Sequence, residues 1–382
     1  MADKRHIFLI PGFFGFASIG EVLYFAHIVE FLSAACYRLG LRVEIHRVPT
    51  HPTASIRKRA AALAEAIASS GAASGGGIDL IGHSTGGLDA RLLATPRVSL
   101  PTEVAVEPLA SRIRSVITVA APHHGTPLSS VFGTLFGKPL LRLLSLATLY
   151  VLRFGHLPTS VVLRMSALIV RLDSRLGLTH NVADQLFNEL LGDFSPERRL
   201  EVQRFLEQAS LDQALMAQVT PEGADVFNAG TVDREGVRYG SVVTMAPRPG
   251  LRSVWRQRLD PYAHLTHAIF FMLYRASAGG SGHALPALTP AQRELLPRAF
   301  GRLPQSSDND GVVPTGSQLW GEVIHAAVAD HLDVIGHFGD ARRVPPHYDW
   351  LASGSGFRRE HFERLWTDVA YFLADRARPV LA

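Results

Sequence analysis

The sequence predicts an α/β fold: a mostly parallel, doubly wound sheet with helices on both faces and an inserted helical cap. Three observations predict it. Strand-length apolar runs alternate with amphipathic helical stretches from His6 to Ala120, in the order β-α-β-α-β-α-β. A Gly-His-Ser-Thr-Gly turn at Gly82–Gly86 follows a buried strand directly and opens a helix. The alternation then stops at Leu128, gives way to apolar helical sequence, and resumes with a strand near Val237.

Composition sets the bounds. The chain has 382 residues, 47% hydrophobic and 19% charged, enough for one large domain with an insertion. The net charge of +4 is mild, and no Lys/Arg block is interleaved with aromatics, so nucleic acid is not an expected partner. One cysteine, Cys36, precludes an intramolecular disulfide and sits in an apolar helical pattern as a small buried hydrophobe. Met1–Arg5 is polar and the apolar run after it is only strand-length, so no signal peptide is read. A cytoplasmic protein is expected; a secreted form with its leader removed fits the same residues.

In chain order, His6–Ile10 reads as the first strand. It ends in a Gly-rich aromatic loop, Pro11-Gly12-Phe13-Phe14-Gly15-Phe16. Glu21–Leu39 reads as a helix stopped by Gly40, Val43–Val48 as a strand and Ser55–Ser69 as a helix. A Gly/Ala/Ser connector, Gly71–Gly77, leads into the strand Ile78–Ile81. Leu88–Ala94 is the helix behind the Gly-x-Ser-x-Gly turn, and Ser115–Ala120 is the next buried strand, followed by Ala121–Pro127.

Leu128–Leu176 is strongly apolar without a strand signal. Its uncharged run, Leu143–Leu152, is far short of the roughly 20 residues that span a membrane, so no transmembrane segment is read. Gly155 and Pro158 divide the region into two helices. Arg142 and Arg153 lie about three helical turns apart, and Arg164, Arg171 and Arg175 share a face. Apolar helices with a thin basic stripe suit a lid that covers a site and meets a lipid–water interface when it opens. Asn181–Ala217 continues as helices with a boundary at Ser195-Pro196. Val237–Thr244 is a strand, and Arg248–Pro304 is a second insertion with a helical segment at Leu265–Tyr274. Val323–Val328 is the last strand and Glu360–Ala377 a closing helix. The expected division is therefore a core of residues 1–127 and 218–382, interrupted near 248–304, with a cap at 128–217.

The chemistry centres on Ser84. A serine on a tight strand–turn–helix elbow is exposed to attack a substrate, and a Cβ at Gly82 or Gly86 would meet the neighbouring strand or helix. The helix N-terminus behind it favours developing negative charge. A hydroxyl needs a base to take its proton, and the imidazole needs an acid to hold its tautomer. In sheets of this kind the acid and histidine follow the serine in sequence, each after a late strand. Asp310 in Asp308-Asn309-Asp310-Gly311 and His331 in Asp330-His331-Leu332-Asp333 meet that requirement. Asp308 is the rival acid; the glycine after Asp310 lets that loop turn sharply. The other histidines among seventeen lack the strand-end context, although His123 and His124 follow a strand and stand where a pocket mouth would lie. Neither His-Glu-x-x-His nor paired cysteines occur, so no zinc site is read and no metal is assigned.

Six segments resemble, in order, those of the bacterial true triacylglycerol lipases of the α/β-hydrolase fold: Pro11–Phe16, Gly82–Arg91, Ala121–Pro127, Asp225–Gly230, Asn309–Pro314 and Asp330–Asp333. The resemblance implies Ser84 as nucleophile, Asp310 as acid and His331 as base. It implies an oxyanion hole from the amides of Phe13 and Thr85, and a lid after Pro127. Phe14, His83, His123 and Leu128 complete the candidate substrate-binding set. The expected reaction is hydrolysis of medium- to long-chain acyl esters at a lipid interface, with polyester hydrolysis or silent lipid binding as the rival readings. No cofactor is required. The resemblance places a structural calcium at Asp333, but the preceding insertion offers no second acidic ligand that sequence alone identifies. Pro11 also stands where the family usually has histidine.

Overall fold

Six parallel strands form one sheet in the order β2-β1-β3-β4-β5-β6. They are β1 (Arg5–Ile10), β2 (Val43–Arg47), β3 (Gly77–His83), β4 (Ile113–Val119), β5 (Arg238–Thr244) and β6 (Glu322–Ala327). The computed structural model describes residues 4–13, 24–25, 27–132, 143, 146–147, 150, 158, 160–162, 164–165, 180–197, 199–200, 202–203, 214–250, 261–279, 286–340 and 349–377.

The central strands are buried along their length, as parallel strands covered by helices must be. β2 lies at the edge and is only partly buried. Strand order reverses between β1 and β3, because β2 lies on one side of β1 and all later strands on the other. Such a switch point opens a crevice beyond the carboxyl ends of the strands. Both Gly12, after β1, and Ser84, after β3, lie there.

Helices α1 (Ile28–Arg38), α2 (Ile56–Ser69), α3 (Gly86–Ala94) and α4 (Val106–Ala110) connect the first four strands. Between β4 and β5 come α5 (Leu128–Phe132), α6 (His180–Gly192), α7 (Ala214–Gln218) and α8 (Pro221–Gly230). No strand occurs among the described residues of that stretch. Helices α9 (Pro261–Ala278) and α10 (Pro290–Phe300) precede β6, and α11 (Arg359–Leu373) closes the chain against α1 and β6. Helix α10 starts on a capping box in which Thr289 and Gln292 satisfy each other's end of the helix.

Two boundaries differ from expectation for local reasons. Helix α1 starts at Ile28 rather than at Glu21, because His27 is left-handed (φ +63°) and Tyr24-Phe25 bends away. Strand β3 runs on through Gly82 and His83, so the elbow begins at Ser84 itself. In the expected cap, Leu143, Leu146, Ala147 and Tyr150 are helical and buried, and Arg164 pairs with Glu189 of α6 at 2.6 Å. Arg142, Arg153, Arg171 and Arg175 lie outside the described residues. Among the described residues no helix is long and apolar enough to cross a membrane.

Candidate active site

Ser84 adopts φ +54°, a left-handed conformation that a non-glycine residue holds at a cost of about 1–3 kcal/mol. Main-chain sterics compel it. A Cβ on Gly82 would lie 2.3 Å from the Gly86 carbonyl oxygen, and one on Gly86 would lie 2.3 Å from the Ile10 oxygen. Only hydrogen at both positions lets β3 turn directly into α3 beside β1. The Ser84 amide bonds to Val119 O (2.8 Å) and its carbonyl accepts from the Gly87 amide (3.0 Å), fixing the elbow to β4 and α3. Thr85 is the N-cap residue of α3, so the positive end of that helix lies beneath the serine.

The loop after β1 closes on the same atom. A Cβ on Gly12 would stand 2.5 Å from Ser84 Cβ and 3.0 Å from its Oγ. The Gly12 backbone therefore runs alongside the Ser84 side chain. A buried ion pair holds that loop from behind. Arg59 of α2 donates to Asp89 of α3 (2.9 Å) and to the Pro11 carbonyl (2.8 Å), with both side chains fully buried.

His331 Nδ1 and Asp310 Oδ2 are 2.8 Å apart, and the His331 amide donates to the Asp310 carbonyl (3.0 Å). A carboxylate oxygen accepts, so Nδ1–H of His331 donates to Asp310 and Nε2 is the ring nitrogen turned away from that pair. Asp310 is saturated in turn. Its Oδ1 accepts from the amides of Val312 (2.9 Å) and Val313 (2.7 Å). Its Oδ2 also accepts from Thr244 Oγ1 (2.8 Å) and Gln318 Nε2 (3.2 Å). Gly311, at φ +97°, lets the loop double back so that those two amides converge. Ser277 of α9 donates to Val312 O (3.0 Å), so the second insertion braces the acid loop. Asp308 points elsewhere: Arg302 (2.9 Å) and Arg248 (3.1 Å) hold it.

His83 links the two halves. Its Nε2 is 2.9 Å from the His331 carbonyl, an acceptor, so Nε2 carries the proton and Nδ1 accepts. The Tyr24 hydroxyl, 2.6 Å from Nδ1, must then donate to it, which frees the phenol oxygen to accept the Gly12 amide at 3.0 Å. Burial, with His331 adding to it, holds the His83 imidazole well below the usual histidine range, so it stays neutral. Burial also pushes the Tyr24 phenol up. The rings of His83 and His331 are 4.6 Å apart. One chain of bonds thus runs from the Gly12 loop through Tyr24 and the elbow to the backbone of His331.

Of the candidate substrate-binding residues, His83, His123 and Leu128 lie in the interior. His83 and His123 are fully buried, with both ring nitrogens hydrogen-bonded within the protein. His123 Nδ1 accepts from Arg91 (3.1 Å) and its Nε2 meets Thr118 Oγ1 (3.0 Å). Arg91 also stacks 3.3 Å over the Trp320 ring and donates to Asn228 (3.1 Å), while Asn228 donates to the His123 carbonyl (2.8 Å). His123 belongs to this brace between α3, β4 and α8. Leu128 is buried at the start of α5, and Phe14 lies outside the described residues. Tyr24, Gln318, Thr244 and Arg59 bond directly to the segments around Ser84 and Asp310, and the sequence alone singled out none of them. None belongs to a motif; Tyr24 sits inside what reads as a helix.

Behind His331, side-chain oxygens of Asp330, Asp333 and Asp349 lie within 4.8 Å of one another. Ser353 donates to Asp330 (2.7 Å) and Ser355 to Asp333 (2.8 Å). Burial, reinforced for Asp333 and Asp349 by the neighbouring carboxylates, raises all three above the usual range, with Asp330 pushed up to about 6. Three crowded carboxylates that resist ionisation together form a donor set that fits a hard divalent cation. Asp349 and Asp330 are the acidic partners of Asp333 that the sequence did not identify.

A parallel sheet in this order, with a serine on a left-handed elbow at its switch point and a His–Asp pair after the last strands, defines an α/β-hydrolase fold. Comparison with known proteins agrees at the level of fold. No protein-family model matches the sequence, and no curated protein does. Among solved structures, lipase 1 from Pelosinus fermentans is similar with a TM-score of 0.53 and 16% identity, covering 98% of this chain and 100% of that one. Staphylococcus hyicus lipase is similar with a TM-score of 0.53 and 14% identity, covering 97% and 95%. EstA from Clostridium botulinum follows with a TM-score of 0.50 and 17% identity, covering 99% and 89%.

Proposed function

We propose that this protein is a serine carboxylic ester hydrolase of lipase type, cleaving medium- to long-chain acyl esters such as acylglycerols. The observations that carry the reading are the Gly12 backbone packed against Ser84 and the His331–Asp310 pair, whose imidazole stands 4.6 Å from the ring of His83, the residue before Ser84. Similarity of fold to bacterial lipases supports it.

In this reading Ser84 Oγ attacks the ester carbonyl carbon while its proton passes to His331 Nε2. Asp310 holds Nδ1–H and stabilises the imidazolium that forms. The amides of Phe13 and Thr85 bind the oxyanion, each donor worth about 3–4 kcal/mol in related chemistry. His331 returns its proton to the departing alkoxide, leaving an acyl-serine. Water, deprotonated by His331, then releases the acid and restores Ser84. Asp330, Asp333 and Asp349 would hold calcium. It supplies no step of the reaction; it would neutralise the cluster and pin the loop that carries His331.

Ser84 is 4% exposed and His331 1%, so substrate entry requires a covering segment to move. Residues 128–217 are the proposed lid. An apolar lid is costly to open in water and favourable to open against lipid, so an interface shifts the equilibrium through differential affinity. The test is a series of p-nitrophenyl esters of increasing chain length beside emulsified triglyceride. Medium or long chains should give the highest kcat/KM, with higher activity on aggregated than on dispersed substrate. Acetate or butyrate as best substrate, with no gain on aggregation, would replace the lipase reading with that of a small-ester esterase.

A further inference from the structure

At the far edge of the sheet three side chains converge for which ester hydrolysis has no use. His6 of β1 pairs in register with Glu44 of the edge strand β2, and His46 lies two residues further along β2. A strand alternates its faces, so His6, Glu44 and His46 share one face. His6 Nδ1 is 3.1 Å from His46 Nε2, 3.7 Å from Glu44 Oε2, and Glu44 Oε1 is 3.9 Å from His46 Nε2. Tetrahedral donors bonded at about 2.0–2.1 Å stand roughly 3.3 Å apart, so this triangle needs only small adjustments to close on an ion.

We propose that His6, Glu44 and His46 bind a zinc-class divalent cation, with solvent as the fourth ligand. The donor set of two imidazoles and one carboxylate suits zinc rather than calcium or magnesium. Exposure is graded in the same sense. The His6 side chain is 3% exposed, His46 19% and Glu44 41%, so the triangle is closed on the sheet side and open to water on the other. Burial keeps both imidazoles below the usual histidine range, in the neutral form that ligates metal. The proton now shared between the rings moves to the outer nitrogen of whichever ring carries it, so both lone pairs face the ion without net proton loss. Lys4 is the competitor. Its ammonium lies 2.6 Å from Glu44 Oε2 and must yield that oxygen. Arg112 adds further positive field at His6. Ile10 lies on the order of 13 Å along β1 from His6, so the ion would clasp the edge strand rather than touch ester chemistry.

The test uses the full chain, stripped with chelator and titrated with zinc alone by calorimetry, and with cobalt as a spectroscopic probe. The expected result is one zinc per chain with a raised Tm, and the visible absorption of four-coordinate cobalt. His46→Ala and Glu44→Gln, each checked by circular dichroism, should weaken binding by more than the roughly 10–100-fold that loss of an outer-shell partner costs. Asp333→Asn should leave it intact. No stoichiometric zinc binding, or equal binding in folded His46→Ala and Glu44→Gln, would overturn the proposal and leave a His–His hydrogen bond beside a surface ion pair.

Discussion

The loop after β3 and the loops that carry Asp310 and His331 hold the three candidate catalytic residues in place by different means. The elbow is built from backbone contacts. Two glycines remove the atoms that would clash, and Ser84 then has a single place to go. The loops of Asp310 and His331 are built from long-range side-chain hydrogen bonds. Thr244, Gln318 and Ser277 hold Asp310 and its loop, while Tyr24 and His83 reach the His331 backbone. A steric device tolerates no side chain but needs no partner. A hydrogen-bonded device tolerates changes of shape but leaves buried orphans when one partner is lost.

Changes at Asp310 should have the largest effect on rate. Asp310→Asn keeps the shape but reverses the tautomer preference of His331, and kcat/KM should fall by about 10⁴-fold. Asp308→Asn should lower Tm through lost contacts with Arg302 and Arg248 and leave most activity. The opposite ranking in purified, folded variants would make Asp308 the acid.

The steric loop should fail by unfolding. Gly86→Ala drives a Cβ into the Ile10 carbonyl, and forced overpacking costs about 1–3 kcal/mol or more. Urea denaturation should show that loss; an unchanged midpoint would mean the elbow is looser than described. The hydrogen-bonded side should fail more gently. Tyr24→Phe orphans the Gly12 amide and His83 Nδ1, worth about 1–3 kcal/mol, and kcat should drop more than KM rises. Unchanged stability and kcat together would remove Tyr24 from the relay.

The smallest effect concerns Asp330, Asp333 and Asp349. Their folded carboxyls bind protons more tightly than the unfolded chain does. The folded state then holds the extra protons, so the stability of calcium-stripped protein should fall as pH rises above about 4 and on past 6. Calcium should cancel that slope and raise Tm. A flat pH dependence and no response to calcium would make the cluster a purely hydrogen-bonded one.

The same contrast explains what could be read from the sequence. Period and turn chemistry disclosed the strands, the elbow and Asp310-Gly311, because each depends on neighbours in the chain. Tyr24, Gln318 and Asp349 were illegible, because their roles depend on groups brought together only by the fold. The partners of His83 and His123 were illegible for the same reason. A histidine at a strand end shows its hydrogen-bond partners only when distant segments are packed against it. Glu44-x-His46 escaped because its third donor, His6, comes from another strand.

The central claim is that Ser84 is the activated nucleophile of this site. Reaction with a p-nitrophenyl alkylphosphonate, followed by peptide mass spectrometry, tests it directly. One adduct per chain should form on the peptide bearing Ser84, with release of one equivalent of p-nitrophenol. Ser84→Ala should take no label, and His331→Ala should react far more slowly. A phosphonate found on another serine, or a folded wild-type chain that remains unlabelled, would contradict the account.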